Sequence, residues 1–156
     1  MATSLSWTET EAALPVPFDA RNALQDRILQ LTDIQNQFNQ ELLHITGLEP
    51  GSFALAIDGE NVGVFPAADL AKGINLAQYR TPMRDQAQVV SWSVADQVRA
   101  DQVHMTMRIK NANMGSVGDN GVLGAFENSL ENAIYDSAQP KPHSFTLSPV
   151  AGDSNK

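Results

Sequence analysis

With 156 residues, 42% of them hydrophobic and 18% charged, the chain has the length and composition of one ordinary globular domain rather than of a disordered segment. A formal net charge of −8 and the lack of any lysine–arginine cluster argue against binding a phosphate backbone, so no nucleic-acid partner is expected. The absence of cysteine excludes disulfides, thiolate zinc sites and cysteine nucleophiles, and no apolar run approaches the roughly 20 residues that span a bilayer.

Residues 1–17 contain no basic stretch followed by an apolar one, so they do not read as a signal peptide. Pro15 and Pro17 forbid helix and central strand here. The segment reads as an extended strap whose Trp7 and Leu14 cover core. Asp19 then caps a short helix with Leu24, Ile28 and Leu31 on one face, and a second helix candidate starts at Asp33, with Ile34, Phe38 and Leu42 at helical spacing.

Leu42-Leu43-His44-Ile45-Thr46 has the makings of a strand, and Glu49-Pro50-Gly51-Ser52 is turn chemistry. Phe53-Ala54-Leu55-Ala56-Ile57 alternates large and small apolar residues, Asp58-Gly59 tolerates the positive φ of a tight hairpin, and Val62-Gly63-Val64-Phe65 returns as the partner strand. Residues 42–65 are therefore expected to form a three-stranded antiparallel meander, with amphipathic helices packed against it. The fold class is α+β.

Pro66 suits the first turn of a short helix over 67–72, ended by Gly73. Thr81 and Pro82 open a long helix whose Met83, Ala87, Val90, Val94 and Val98 mark a core-facing stripe that can run on to Met105 and Ile109, while Trp92 packs against a neighbouring element. Residues 111–121 are a loop by composition. Val122, Leu123, Phe126, Leu130, Ala133 and Ile134 trace a further helix, Pro140 and Pro142 stop it, and Phe145-Thr146-Leu147 alternates weakly, as a short terminal strand does. Residues 1–150 read as a single α+β domain or as the C-terminal portion of a larger protein, and 151–156 as a flexible tail.

Several of these signals come in a recognisable order: Leu5-Ser6-Trp7, Ala13-Leu14-Pro15, Ile45-Thr46-Gly47-Leu48, Ala56-Ile57-Asp58-Gly59, Gly73-Ile74-Asn75-Leu76-Ala77, Thr81-Pro82-Met83, and the closing run Ala138-Gln139-Pro140-Lys141-Pro142-His143-Ser144-Phe145-Thr146-Leu147. The series resembles the region that follows the catalytic core in a bacterial subgroup of SGNH/GDSL-type, lipase-like esterases, over roughly residues 5–150. The resemblance implies that a full family member hydrolyses esters. It also implies that the serine, the oxyanion-hole glycine and asparagine, and the base histidine lie upstream of the segments matched here, as would any export signal.

Candidate chemistry in the chain itself is sparse. Gly152-Asp153-Ser154 matches the family's nucleophile block by letters, but that chemistry needs a strand-to-helix turn, backbone donors and a base, and only Asn155 and Lys156 follow. Asp101 and His104, three apart on a helix, would be neighbours able to hydrogen-bond or to supply half a metal site. His44 has no carboxylate partner identifiable in sequence, and His143 between Pro142 and Ser144 reads as a positional hydrogen bond. Asp58 has local work in its turn. Gly115, Gly118, Gly121 and Gly124 lack the Lys and Ser/Thr of a phosphate loop and the strand of a dinucleotide fold.

No residue is thus assigned a catalytic, cofactor-binding or metal role. The expected function is a non-catalytic, accessory C-terminal portion of an ester hydrolase that packs on or shapes the catalytic core. A free-standing interaction module, or a hydrolase using an unrecognised Ser/His pair, are the alternatives. The expected partner is the SGNH catalytic core, or a second copy met through an exposed apolar face.

Overall fold

The structure is a computed structural model that describes residues 4–17, 27, 31–32, 37–112 and 120–150. The helix candidates starting at Asp19 and Asp33, and the tail 151–156, lie largely or wholly outside the described residues. In chain order come β1 (Leu5–Thr10), β2 (Leu42–Leu43), β3 (Ser52–Ile57), β4 (Glu60–Pro66), α1 (Ala67–Lys72), β5 (Ile74–Asn75), a 3₁₀ turn (Leu76–Gln78), α2 (Pro82–Ala112), α3 (Asn120–Ser137) and β6 (Pro142–Pro149). The fold is α+β.

Two compact units result. One comprises Met1–Ala87 and Pro140–Lys156, the other Gln88–Gln139. The first is built on a four-stranded sheet of order β1-β6-β3-β4, with every neighbouring pair antiparallel. Successive strand residues point to opposite faces, and the apolar residues of β3 and β6 keep that period: Phe53, Leu55 and Ile57 are buried, as are Phe145 and Leu147. On this buried face lie Leu43, Phe65, Leu70, Ile74, Leu76 and Met83, with Trp7 and Leu14 partly buried against them. Trp7 stacks on Phe145 with ring centroids 5.1 Å apart and planes 16° from parallel, so the strap's covering role is observed.

The β3–β4 hairpin turns at Asp58-Gly59, where φ values of 51° and 81° match the two positive-φ positions such a turn needs. The third strand beside it is not the 42–46 segment. Only Leu42–Leu43 forms a strand, and it pairs with Ile74–Asn75 in a separate two-stranded sheet. Ile45 donates its N–H to the Leu70 carbonyl (3.0 Å), which commits the segment to α1. The free edge of β3 is taken instead by β6, whose Phe145 and Leu147 lie opposite Ile57 and Leu55.

Thr81, fully buried, caps α2 by accepting the Arg84 N–H on Oγ1 (3.2 Å). Met83 and Ala87 continue into the core as expected. Val90 is half-buried, and beyond it the stripe leaves the core: Val94 and Val98 are 44% and 49% exposed. The stripe is core only over its first turn and a half. Among the described residues, no helix is long and apolar enough to cross a membrane.

Candidate functional site

The first unit carries an imidazole–carboxylate pair at the hairpin turn. Asp58 Oδ2 accepts from His143 Nδ1 (2.6 Å), Oδ1 accepts the Ser144 N–H (2.8 Å), and the Asp58 N–H donates to the Ser144 carbonyl (2.8 Å). The turn is thereby locked to β6, so Asp58 works across more than 80 residues of sequence rather than locally. The hydrogen bond from His143, and then that from the Ser144 amide, hold the Asp58 carboxyl below its ordinary pKa. His143 does make the positional hydrogen bond expected of it.

An aspartate on Nδ1 orients an imidazole and leaves Nε2 as its base end. Here that nitrogen is buried and hydrogen-bonded to no partner. Among the described residues no serine or threonine hydroxyl hydrogen-bonds to it.

Beneath residues 11–17 lies a second acidic group. Val16 and Asn39 exchange two hydrogen bonds, N–H to Oδ1 at 2.8 Å and Nδ2 to the carbonyl at 3.1 Å, which fix the strap over this region. Glu41 is 7% exposed and neither of its carboxylate oxygens has a hydrogen-bond partner. Burial, reinforced by the charge of Glu11, pushes its pKa up to about 7. Glu11 is raised in turn by burial and by Glu9, against an opposing pull from His143. Glu9 sits directly across the β1–β6 ladder from His143. The sequence reading missed Glu41, although the period of two offered a signal: it lies two residues before the buried Leu43 and so shares its face.

The second unit pairs α2 with α3. His104 stands eight residues before the end of α2 and Glu127 seven after the start of α3, and the two side chains meet. His104 Nδ1 meets the Glu127 carboxylate, whereas Asp101 accepts from Gln97 Nε2 (3.0 Å). The expected i, i+3 partnership of Asp101 and His104 is replaced by these two contacts. Nothing in the sequence ties Glu127 to His104. His104 Nε2 is also buried without a partner.

Two grooves flank this polar seam. One, of about 350 Å³, is lined by Val103 and Met107 of α2 and Phe126 and Leu130 of α3, together with Arg99, His104 and Glu127. The other, of about 560 Å³, is lined by Asp101, His104, Met105, Ile109, Glu127 and Glu131. No apolar side chain of the unit is buried among the described residues; Trp92, Val103, Met107, Ile109 and Phe126 are all about half exposed or more.

His44 is exposed, its ring lying against Gly73. Gly121 and Gly124 are in α3, while Gly115, Gly118 and Gly152-Asp153-Ser154 lie outside the described residues. Among the described residues no group of three or more His, Asp or Glu is placed to hold a metal ion.

No protein-family model matches the sequence, and no curated protein matches it. A solved structure does: a gut microbial diltiazem-metabolizing enzyme, with a TM-score of 0.71 and 23% sequence identity. The fold is shared. The likeness covers 94% of this chain but 43% of that enzyme's chain, so this chain spans less than half the length of its neighbour.

Proposed function

We propose that the chain is the non-catalytic, accessory C-terminal portion of an SGNH/GDSL-type ester hydrolase, packing on or shaping the catalytic portion. The observation that carries this reading is the helical unit Gln88–Gln139, whose described apolar side chains are exposed or half-buried, with none in a core. Large exposed apolar area marks a surface built to be covered. The ordered motifs from Leu5-Ser6-Trp7 to Phe145-Thr146-Leu147 supply the family, and the likeness to less than half of a longer enzyme chain supports a role as one part of a larger catalyst.

The test is turnover of a short-chain aryl ester together with labelling by a serine-directed phosphonate. The expected result is neither. Turnover above the uncatalysed rate with a labelled serine overturns the reading.

One observation favours a second reading, an ester hydrolase in its own right: Asp58 orients His143 as a general base would be oriented. Under that reading His143→Gln abolishes turnover, while His104→Gln leaves it unchanged.

A further inference from the structure

Residues 38–43 alternate in exposure. Phe38, Gln40 and Leu42 are exposed, whereas Asn39, Glu41 and Leu43 are buried and share the inner side. Their backbone is held from one direction by β5 and the turn that follows it. Asn75 Oδ1 accepts the Glu41 N–H (3.0 Å), Asn75 Nδ2 donates to the Asn39 carbonyl (2.9 Å), and the Glu41 carbonyl accepts the Leu76 N–H (2.8 Å). From the other direction comes the strap, with Val16 bonded to the Asn39 side chain and Glu11 as the charged neighbour of Glu41. With its backbone clamped, Glu41 reaches water only if the strap moves.

The strap is the weaker of the two walls. β1 pairs with β6 as far as Thr10. From there to Pro17, the strap's hydrogen bonds among the described residues are the two that Val16 exchanges with Asn39. Pro15 and Pro17 have no N–H to give. Pro15 is buried and Leu14 packs on the edge of the core, contacts that one short segment can release while the β3–β6 ladder stays paired. Local openings of this kind cost less than unfolding the sheet.

We infer that the strap, residues 11–17, is a pH-sensitive cover: ionisation of Glu41 favours a locally open form in which Val16 leaves Asn39 and the sheet stays folded. A carboxylate without hydrogen bonds costs far more to bury than the neutral acid does, and neither Glu41 oxygen has a partner. Among the described residues, Glu11 on the strap acts on Glu41, while Glu9 of β1 and His143 of β6 act on Glu11. On the opposite wall, residues 74–78 carry no charge.

The closed strap holds Glu41 at about 7, against 4.5 once it is open and hydrated. Closure is therefore strongest below pH 4.5, weakens as pH rises to about 7 and levels off above that. Glu11, raised by burial and by Glu9, adds in the same direction. The Glu41 difference alone lowers the closed-to-open ratio by roughly fifty- to a hundredfold between pH 5 and pH 8. Opening withdraws Glu11 from His143 and uncovers the core edge under Leu14, so the surroundings of the Asp58–His143 pair change with pH. The inference stands without the hydrolase reading.

The test is amide hydrogen exchange of the full chain, followed by NMR from pH 5 to pH 8 and corrected for the intrinsic rate at each pH. The Val16 N–H, bonded to Asn39 Oδ1, reports closure, and the amides of the β3–β6 ladder report the sheet. In wild type the Val16 protection factor is expected to fall by roughly fifty- to a hundredfold. Its exchange should respond hardly at all to low denaturant, because a local opening exposes little surface. In Glu41→Gln, shown to be folded by its protected ladder amides, the fall is expected to shrink to a few-fold. The denaturant dependence is read in wild type alone, so it decides independently of the variant. Val16 protection that does not change with pH overturns the inference, and so does a fall of the same size in Glu41→Gln. Val16 exchange with the same denaturant dependence as the ladder also overturns it, since the strap would then open only when the sheet unfolds.

Discussion

Replacing Glu41 by glutamine removes an ionisation that the fold opposes while keeping the shape of the side chain. A carboxyl with a pKa of 4.5 in the unfolded chain and about 7 in the folded one prefers its neutral form in the native state by roughly 3 kcal/mol. The folded value is the higher one, so the native state is at full strength below pH 4.5. It loses stability as pH rises from 4.5 to about 7, and the loss levels off above that. Glu41→Gln has no charge to form, so that slope disappears. With neither oxygen hydrogen-bonded in the native protein, the amide forfeits no existing bond. The variant is expected to match wild type at pH 4.5 and to exceed it by about 2–3 kcal/mol at pH 8.5, a rise in Tm of roughly 5–10 °C for a chain of this size. Thermal unfolding followed by circular dichroism at the two pH values measures it. Equal pH slopes in the two proteins would refute the argument, because they would mean that water or a partner group stabilises the Glu41 anion in the folded chain.

Further outcomes follow from the first unit. Phe145→Ala removes a 1%-exposed ring and its stack on Trp7, and is expected to cost about 3–5 kcal/mol in denaturant unfolding. Gly73→Ala forces a β-carbon to within 2.1 Å of His44 Nε2 at a φ of 99°, with an expected loss of about 1–3 kcal/mol for the backbone strain alone. In a double-mutant cycle His44→Ala should relieve the steric part and leave the backbone part, and full recovery would show that φ carries no penalty. Asp58→Asn keeps an acceptor for the Ser144 amide but weakens the bond to His143, for an expected loss of about 1–2 kcal/mol at pH 7. Since Asp58 is held below its ordinary pKa, this contribution is present above the unfolded value and fades as pH falls through the folded one. The variant's stability should therefore converge on that of wild type in acid.

Much of the fold is legible in the residues. The Asp58-Gly59 hairpin, the short helix stopped by Gly73 and the Thr81-Pro82 helix start all rest on local chemistry that few backbones other than the observed one satisfy. What stayed hidden is non-local. β6 shows little more than the alternation of Phe145 and Leu147, yet it is an inner strand, because the partners on its two sides lie far away in sequence. The valine stripe of α2 reads as core because spacing reports that residues share a side, not whether anything stands opposite them. Asp58 and His143 were each visible, but their pairing is not, since no local rule links positions so distant. Glu41 escaped notice because a lone acid before a strand is ordinary until its burial is known.

The position of β6 also sets an order of events. β1 and β3 each meet it along an edge, β1 from the other end of the described chain. The β3–β4 hairpin closes over a two-residue turn, and the helices form within themselves, so these are the fast steps. The sheet as a whole must wait for residues 142–149 to emerge from the ribosome. Until then β1 and one side of β3 present unpaired backbone, the template on which chains pair with one another. Loss of a few residues from this strand would therefore act less like trimming an end than like pulling a seam, and its first symptom would be insoluble protein during synthesis.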